Sequence, residues 1–195
     1  MKKKAVLLAV CAAFAILVTV LPTPGEAAVR ERVIRLHVVA NSDGEEDQAL
    51  KLAVRDALTG EVASMLEGVS TKEEAEKVLS DRLDGILACA EKAAGDVPVT
   101  VTLGKERYPT KEYGAFRFPR GVYTSVQVKL GAAEGKNWWC VLFPPLCVGA
   151  ASAGPEEVCV EAGLTPGQVK ILTGSDGKYR VRFRVLEWLD ALFGG

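Results

Sequence analysis

The sequence predicts an α+β fold: two helices packed on a mixed β-sheet, in a single domain preceded by a signal peptide. Three observations lead there. Five segments read as strands, and two longer stretches between the first and second place apolar residues at helical spacing. The first thirty residues have an export layout unlike the rest. No internal repeat or second composition regime divides residues 28–195, a length that can bury about 70% of its extended-chain surface in one core.

Lys2, Lys3 and Lys4 precede an unbroken apolar run from Ala5 to Leu21 whose only hydroxyl is Thr19. Pro22-Thr23-Pro24-Gly25-Glu26-Ala27-Ala28 follows, and Gly25-x-Ala27 is a small-x-small cleavage pattern behind helix-breaking prolines. Residues 1–27 therefore read as a signal peptide. The alternative is an uncleaved N-terminal anchor, because 17 apolar residues reach the lower edge of a spanning helix. A lipobox at Leu8-Ala9-Val10-Cys11 is poor, since Val10 is not small and the chain stays apolar beyond Cys11. On either reading residues 28–195 are expected to form one extracytoplasmic domain.

The whole chain sets 24 Lys+Arg against 25 Asp+Glu; residues 28–195 carry 21 against 24, a net charge of −3. That balance argues against a nucleic-acid binder, which needs a basic surplus to neutralise phosphates. A hydrophobic fraction of 49% excludes a disordered tail, and a single His excludes polyhistidine metal sites.

Val33–Ala40 reads as the first strand, with Ile34, Leu36, Val38 and Ala40 on an apolar face and Val33, Arg35, His37 and Val39 on a mixed one. Asn41-Ser42-Asp43-Gly44 ends it, and Asp43 with Glu46 three residues on predicts an N-cap. A helix is expected over 44–67, striped by Leu50, Ala53, Val54, Ala57, Leu58, Val62, Met65 and Leu66, with Gly68 as its stop. Ser70 and Glu73 repeat the capping signal. The second helix carries Ala75, Val78, Leu79, Leu83, Ile86, Leu87 and Ala90, is interrupted by Gly85, and ends at Gly95. Strands are then expected at Val97–Leu103, with Pro98 near its start, at Val122–Leu130, and at Trp138–Phe143, stopped by Pro144-Pro145. Residues 149–178 read as a loose segment, and residues 179–195 as a C-terminal strand (Tyr179–Glu187) and tail.

Little in the chain points to chemistry. Gly131–Asn137 resembles a phosphate loop but has three residues between its glycines and ends in Asn where Ser or Thr must hold magnesium, so it reads as a turn. Asn41, Asp43, Glu45 and Asp47 alternate oxygens, yet Leu52 stands where a calcium loop needs its bidentate Glu. The sharpest enzyme reading is a Cys–His nucleophile, His37 with Cys140 or Cys147 and with Asn41 or Asp43 as orienter. Against it, a lone His on a mixed strand face is more often a hydrogen-bonded structural residue. No catalytic residue, cofactor or metal is expected, and no enzymatic activity.

Cys11 leaves with the signal, so Cys89, Cys140, Cys147 and Cys159 remain. Cys140 and Cys147 flank a short loop stiffened by two prolines, and outside the cell they are expected to form a disulfide worth about 2–3 kcal/mol. Cys89 and Cys159 are left free or unresolved. The adjacent Trp138 and Trp139 point to opposite faces of a strand, so one core accommodates at most one of them. The other sits under a loop or faces outward as a partner anchor. Candidate partner-binding residues are Lys136, Asn137, Trp138 and Trp139, with Asn41 and Asp43 at the strand end as a second patch.

Arg35–Asp43, Asp47-Gln48, Lys51-x-x-Val54-Arg55-Asp56 and the run from Gly135 to Cys147 together resemble the stage II sporulation protein R family, over roughly residues 30–148. The resemblance implies a signal made in the forespore of endospore-forming bacteria and exported toward the space between forespore and mother-cell membranes. There it would activate a membrane-embedded aspartic protease of the mother cell, which processes pro-sigma E. A partner protease at its extracytoplasmic face, and no nucleic acid or small-molecule substrate, are the expected contacts; the membrane would be touched only through an uncleaved N-terminal segment. The competing expectation is a secreted hydrolase using His37 and a thiol on the receptor or the cell wall.

Overall fold

The computed structural model describes residues 24–113, 116–144, 159–160 and 163–174, with five positions among the first thirteen. In chain order the elements are α1 (Pro24–Glu31), β1 (Ile34–Val39), α2 (Glu45–Met65), α3 (Lys72–Asp81), α4 (Leu83–Ala94), β2 (Val99–Tyr108), β3 (Lys111–Tyr113), β4 (Phe116–Phe118), β5 (Gly121–Leu130), β6 (Asn137–Phe143) and α5 (Pro166–Thr173). The α+β class and the mixed sheet hold, but five helices stand among the described residues where two were expected. Cys147, the Tyr179–Glu187 strand, most of the loose segment and nearly all of the apolar N-terminal run lie outside the described residues.

The principal sheet has the order β2-β5-β1-β6. β1 is parallel to β5 and antiparallel to β6, and β2 is antiparallel to β5. A parallel neighbour needs a long crossover, and α2, α3 and α4 lie within it. Their apolar stripes (Val54, Leu58 and Val62; Ala75 and Leu79; Ile86 and Ala90) pack on Ile34, Leu36, Val38, Val126, Val128 and Leu130 of the sheet.

The opposite face is also a core. Val29 of α1, Phe116 and Phe118 of the β3–β4 hairpin, and Val169 and Leu172 of α5 cover Val33, Tyr108, Tyr123 and Val141. β1 is consequently buried on both sides, including Arg35 at 0% exposure. The expected two-layer fold is thereby corrected: apolar and aromatic residues on the mixed face were enough to recruit a second cover. The expected cleavage pattern Gly25-x-Ala27 falls within α1, where Glu26 and Val29 are buried.

Four local expectations are corrected. The second helix is two, broken at Arg82 (φ −109°, ψ 16°), while Gly85 stays helical. Ala75, Leu79, Ile86 and Ala90 keep a spacing that one continuous helix also satisfies, so periodicity conceals the break. Thr71 with Glu74, not Ser70 with Glu73, forms the capping box, and this puts Ala75 and Leu79 into the core. Gly44, not Asp43, stands at the N-cap of α2 with no side-chain cap, because the Asp43 carboxylate is drawn elsewhere. β2 also runs five residues past its expected end, through the charged Lys105-Glu106-Arg107, since β5 pairs with it along its whole length.

Candidate functional site

The end of β1 and the turn joining β5 to β6 are clasped together. The Asn41 side-chain carbonyl accepts from the Ala132 amide at 2.8 Å, and Asp43 accepts from the Lys136 amide at 2.7 Å. Backbone bonds add to this: Gly135 N donates to Ala40 O at 2.9 Å and Glu134 N to Asn41 O at 3.1 Å. Gly131 sits at φ +55°, and a Cβ there would overlap the Asn41 side chain. A Cβ at Gly135 would overlap the Ser42 carbonyl. Both glycines are therefore required by close approach.

The start of α2 completes the clasp. Asp47 accepts from the Ser42 hydroxyl at 2.6 Å and from the Asn41 amide at 2.9 Å. These two bonds, Ser42's first, hold its carboxyl below the ordinary range. Gln48 donates to Ser42 O at 2.8 Å, and Lys51 donates to Gln48 at 2.6 Å and to Lys136 O at 3.1 Å. Lys51 is only 5% exposed, and that burial pushes its ammonium down. Asn41 and Asp43, expected as a second partner patch, thus spend their side chains within the molecule. What the clasp presents is the exposed pair Lys136 and Asn137, at the head of β6.

Trp138 and Trp139 occupy opposite faces of β6, each half-buried in a different core. Trp138 packs on the helical side with the Arg55 guanidinium 4.3 Å from its ring centre. Trp139 lies on the other side, beside His37 at 5.4 Å and Tyr108 at 6.3 Å, with the Lys111 ammonium 3.9 Å over its ring. The expectation that one core takes at most one Trp is met because there are two cores.

A polar row crosses the Trp139 face. His37 bridges Glu106 through Nδ1 at 2.6 Å and the Asn137 side-chain oxygen through Nε2 at 2.8 Å. Burial alone would raise the Glu106 carboxyl, but the hydrogen bond and charge of His37 outweigh it and hold the group below its ordinary value. Tyr108 and Ser125 hydroxyls share a bond at 2.6 Å, and burial pushes the Tyr108 phenol up. Beneath them the Arg35 guanidinium stacks on Tyr108 at 4.1 Å, with Tyr123, Tyr113 and Phe118 at 5.1–5.5 Å, and bonds the Tyr113 hydroxyl. Sequence reasoning flagged the mixed face of β1 but not this aromatic surround. Its available signal was the recurrence of Tyr108, Tyr113, Phe116, Phe118 and Tyr123 within a short span.

The structure does not bring Cys140 to His37, and the other thiol expected beside His37, Cys147, lies outside the described residues. Cys140 pairs across from Leu36 and belongs to the helical-side core, whereas His37 contacts the aromatic side. Alternation along the strands turns the two side chains to opposite faces. Cys140 is disulfide-bonded, while Cys89 and Cys159 are thiols, the latter buried. Burial raises the Cys89 thiol above its ordinary value, which leaves it a small hydrophobe rather than a nucleophile. Among the described residues no group of three or more His, Cys, Asp or Glu is placed to hold a metal ion, and no helix is long and apolar enough to cross a membrane.

Comparison with known proteins agrees with the signature that builds this clasp. A family model described as stage II sporulation protein R matches residues 30–153. The chain is 33% identical over 186 residues to the stage II sporulation protein R of Bacillus subtilis (strain 168), covering 85% of this chain and 83% of that protein. No solved structure matches. The chain belongs to the stage II sporulation protein R family, and its role is in sporulation.

Proposed function

We propose that this protein is a secreted forespore signal that activates a membrane-embedded aspartic protease of the mother cell, leading to processing of pro-sigma E. The carrying observation is the clasp: residues of the family signature fix the turn that offers Lys136 and Asn137 to solvent, with a tryptophan on each side of the strand behind them. A rigid loop backed by aromatic residues suits recognition, since little entropy is lost when it docks. The ligand works by binding the active arrangement of the protease more tightly than the inactive one, which is the only way binding can shift that equilibrium. Asn41 and Asp43 act as positioning residues; Lys136, Asn137 and the Trp edges make the contact.

Residues 1–27 export the chain toward the space between the two membranes, as a cleaved signal or as an anchor. A Cys140–Cys147 disulfide belongs to the same reading. The test is co-expression with the candidate protease and its pro-sigma substrate in a non-sporulating host. Processing should depend on this protein and be lost with Asn137→Ala combined with Lys136→Ala in a chain that still folds. Processing without the protein ends the signalling reading.

A further inference from the structure

A cleft of about 300 Å³ opens between α1, the first residue of α3 and the β2–β5 pair, away from the clasp; Arg30, Glu31, Lys72, Lys105, Val122 and Thr124 line it. Three of these are cations from three separate elements, facing one carboxylate, so the cleft has a formal charge of +2 in a domain that is acidic from residue 28 onward. Among the described residues none of Arg30, Lys72 and Lys105 belongs to an ion pair. Arg30 donates to the Arg120 carbonyl at 3.5 Å, and Lys105 to the Thr124 hydroxyl at 2.7 Å.

The arrangement is electrostatically costly as it stands. Lys72 is half-buried, and burial, followed by repulsion from Lys105, pushes its ammonium down despite nearby Glu76, Glu73 and Glu31. It is also the first residue of α3, where a cation adds to the positive end of the helix dipole. Thr124, 1% exposed, sets a hydroxyl at the floor, and Val122, 46% exposed, forms an apolar lip at the start of β5. Repulsion among unpaired cations around a shaped recess is relieved by one kind of occupant, an anion.

We propose that this cleft binds a doubly charged oxyanion group, either a phosphate or two neighbouring carboxylates, held by Lys72, Lys105 and Arg30 over the Thr124 hydroxyl. The site is independent of the clasp. The full chain is titrated by calorimetry with inorganic phosphate and, separately, with the dipeptide Glu-Glu, each balanced with sodium chloride to constant ionic strength. Saturable one-to-one binding is expected with at least one probe. Lys72→Met and Lys105→Met should each weaken it about tenfold or more, the loss of one charge-assisted hydrogen bond. Lys170→Met on α5 should leave it unchanged. Binding of phosphate alone assigns a phosphoryl ligand, and binding of Glu-Glu alone an acidic peptide. Absence of saturation with both probes on the unaltered chain overturns the proposal, whatever the variants do. So does binding that folded Lys72→Met and Lys105→Met retain at full strength.

Discussion

Replacing Asn41 by Ala removes the side chain that ties β1 to the β5–β6 turn. Two bonds disappear, the acceptor for Ala132 N at 2.8 Å and the donor to Asp47 at 2.9 Å. The first is exposed and nets about 1 kcal/mol; the second meets a carboxylate in a half-buried place and nets about 1–2 kcal/mol. The expected loss is therefore about 2 kcal/mol, or a fall of about 4–8 °C in Tm for a chain of this size. Urea unfolding followed by tryptophan fluorescence measures it, with an unchanged slope showing that the same surface unfolds. Asn41→Asp sharpens the test. It keeps the acceptor but sets a second carboxylate against Asp47, so at neutral pH it should be at least as damaging as Ala. Protonation relieves that repulsion, so the gap should narrow as pH falls through the carboxylate range. A loss under about 0.5 kcal/mol in Asn41→Ala, the scale of an inert surface change, would refute the clasp.

Other outcomes follow from the same geometry. Gly135→Ala drives a Cβ into the Ser42 carbonyl and should cost about 2–3 kcal/mol, read from the urea midpoint. Glu106 has a folded pKa below its ordinary 4.5, so its stabilising share is complete above about that pH and is lost as pH falls through the lower folded value; Glu106→Gln should flatten that part of the stability profile. Leu58→Ala, at a fully buried α2 position, should cost about 2–5 kcal/mol, whereas Leu52→Ala on the same helix, 37% exposed, should stay within about 0.5 kcal/mol by thermal denaturation.

The helical side of this protein is legible in the sequence. Val54, Leu58 and Val62 are at the period that puts them on one stripe, and the alternation through Val126, Val128 and Leu130 faces them. Glycine punctuation also held where conformation requires it: Gly95 ends α4 at φ +63° and Gly68 follows α2 at φ +76°. The β3–β4 hairpin and α5 were not legible. Lys111–Tyr113 and Phe116–Phe118 are too short for a period to register, and α5 begins behind a Thr165–Gln168 capping box inside a stretch dominated by loop-forming residues.

The roles of the signature residues divide along the same line. Asn41, Asp43, Lys136 and Asn137 stood out as a pattern, yet a pattern does not say whether a side chain faces a partner or its own backbone. Hydrogen bonds between residues some ninety positions apart, Asn41 to Ala132 and Asp43 to Lys136, decide that question, and no local spacing encodes them. By itself the sequence determined the class, the strand and helix faces with strong periods, and the family. The tertiary structure alone decided that the mixed face of β1 is a second core, that each tryptophan therefore has a core of its own to enter, and that three distant cations meet in one cleft. The reason is physical: periodicity reports how a segment divides between apolar and polar sides, while the identity of what covers each side is set by chain reversals far away in sequence.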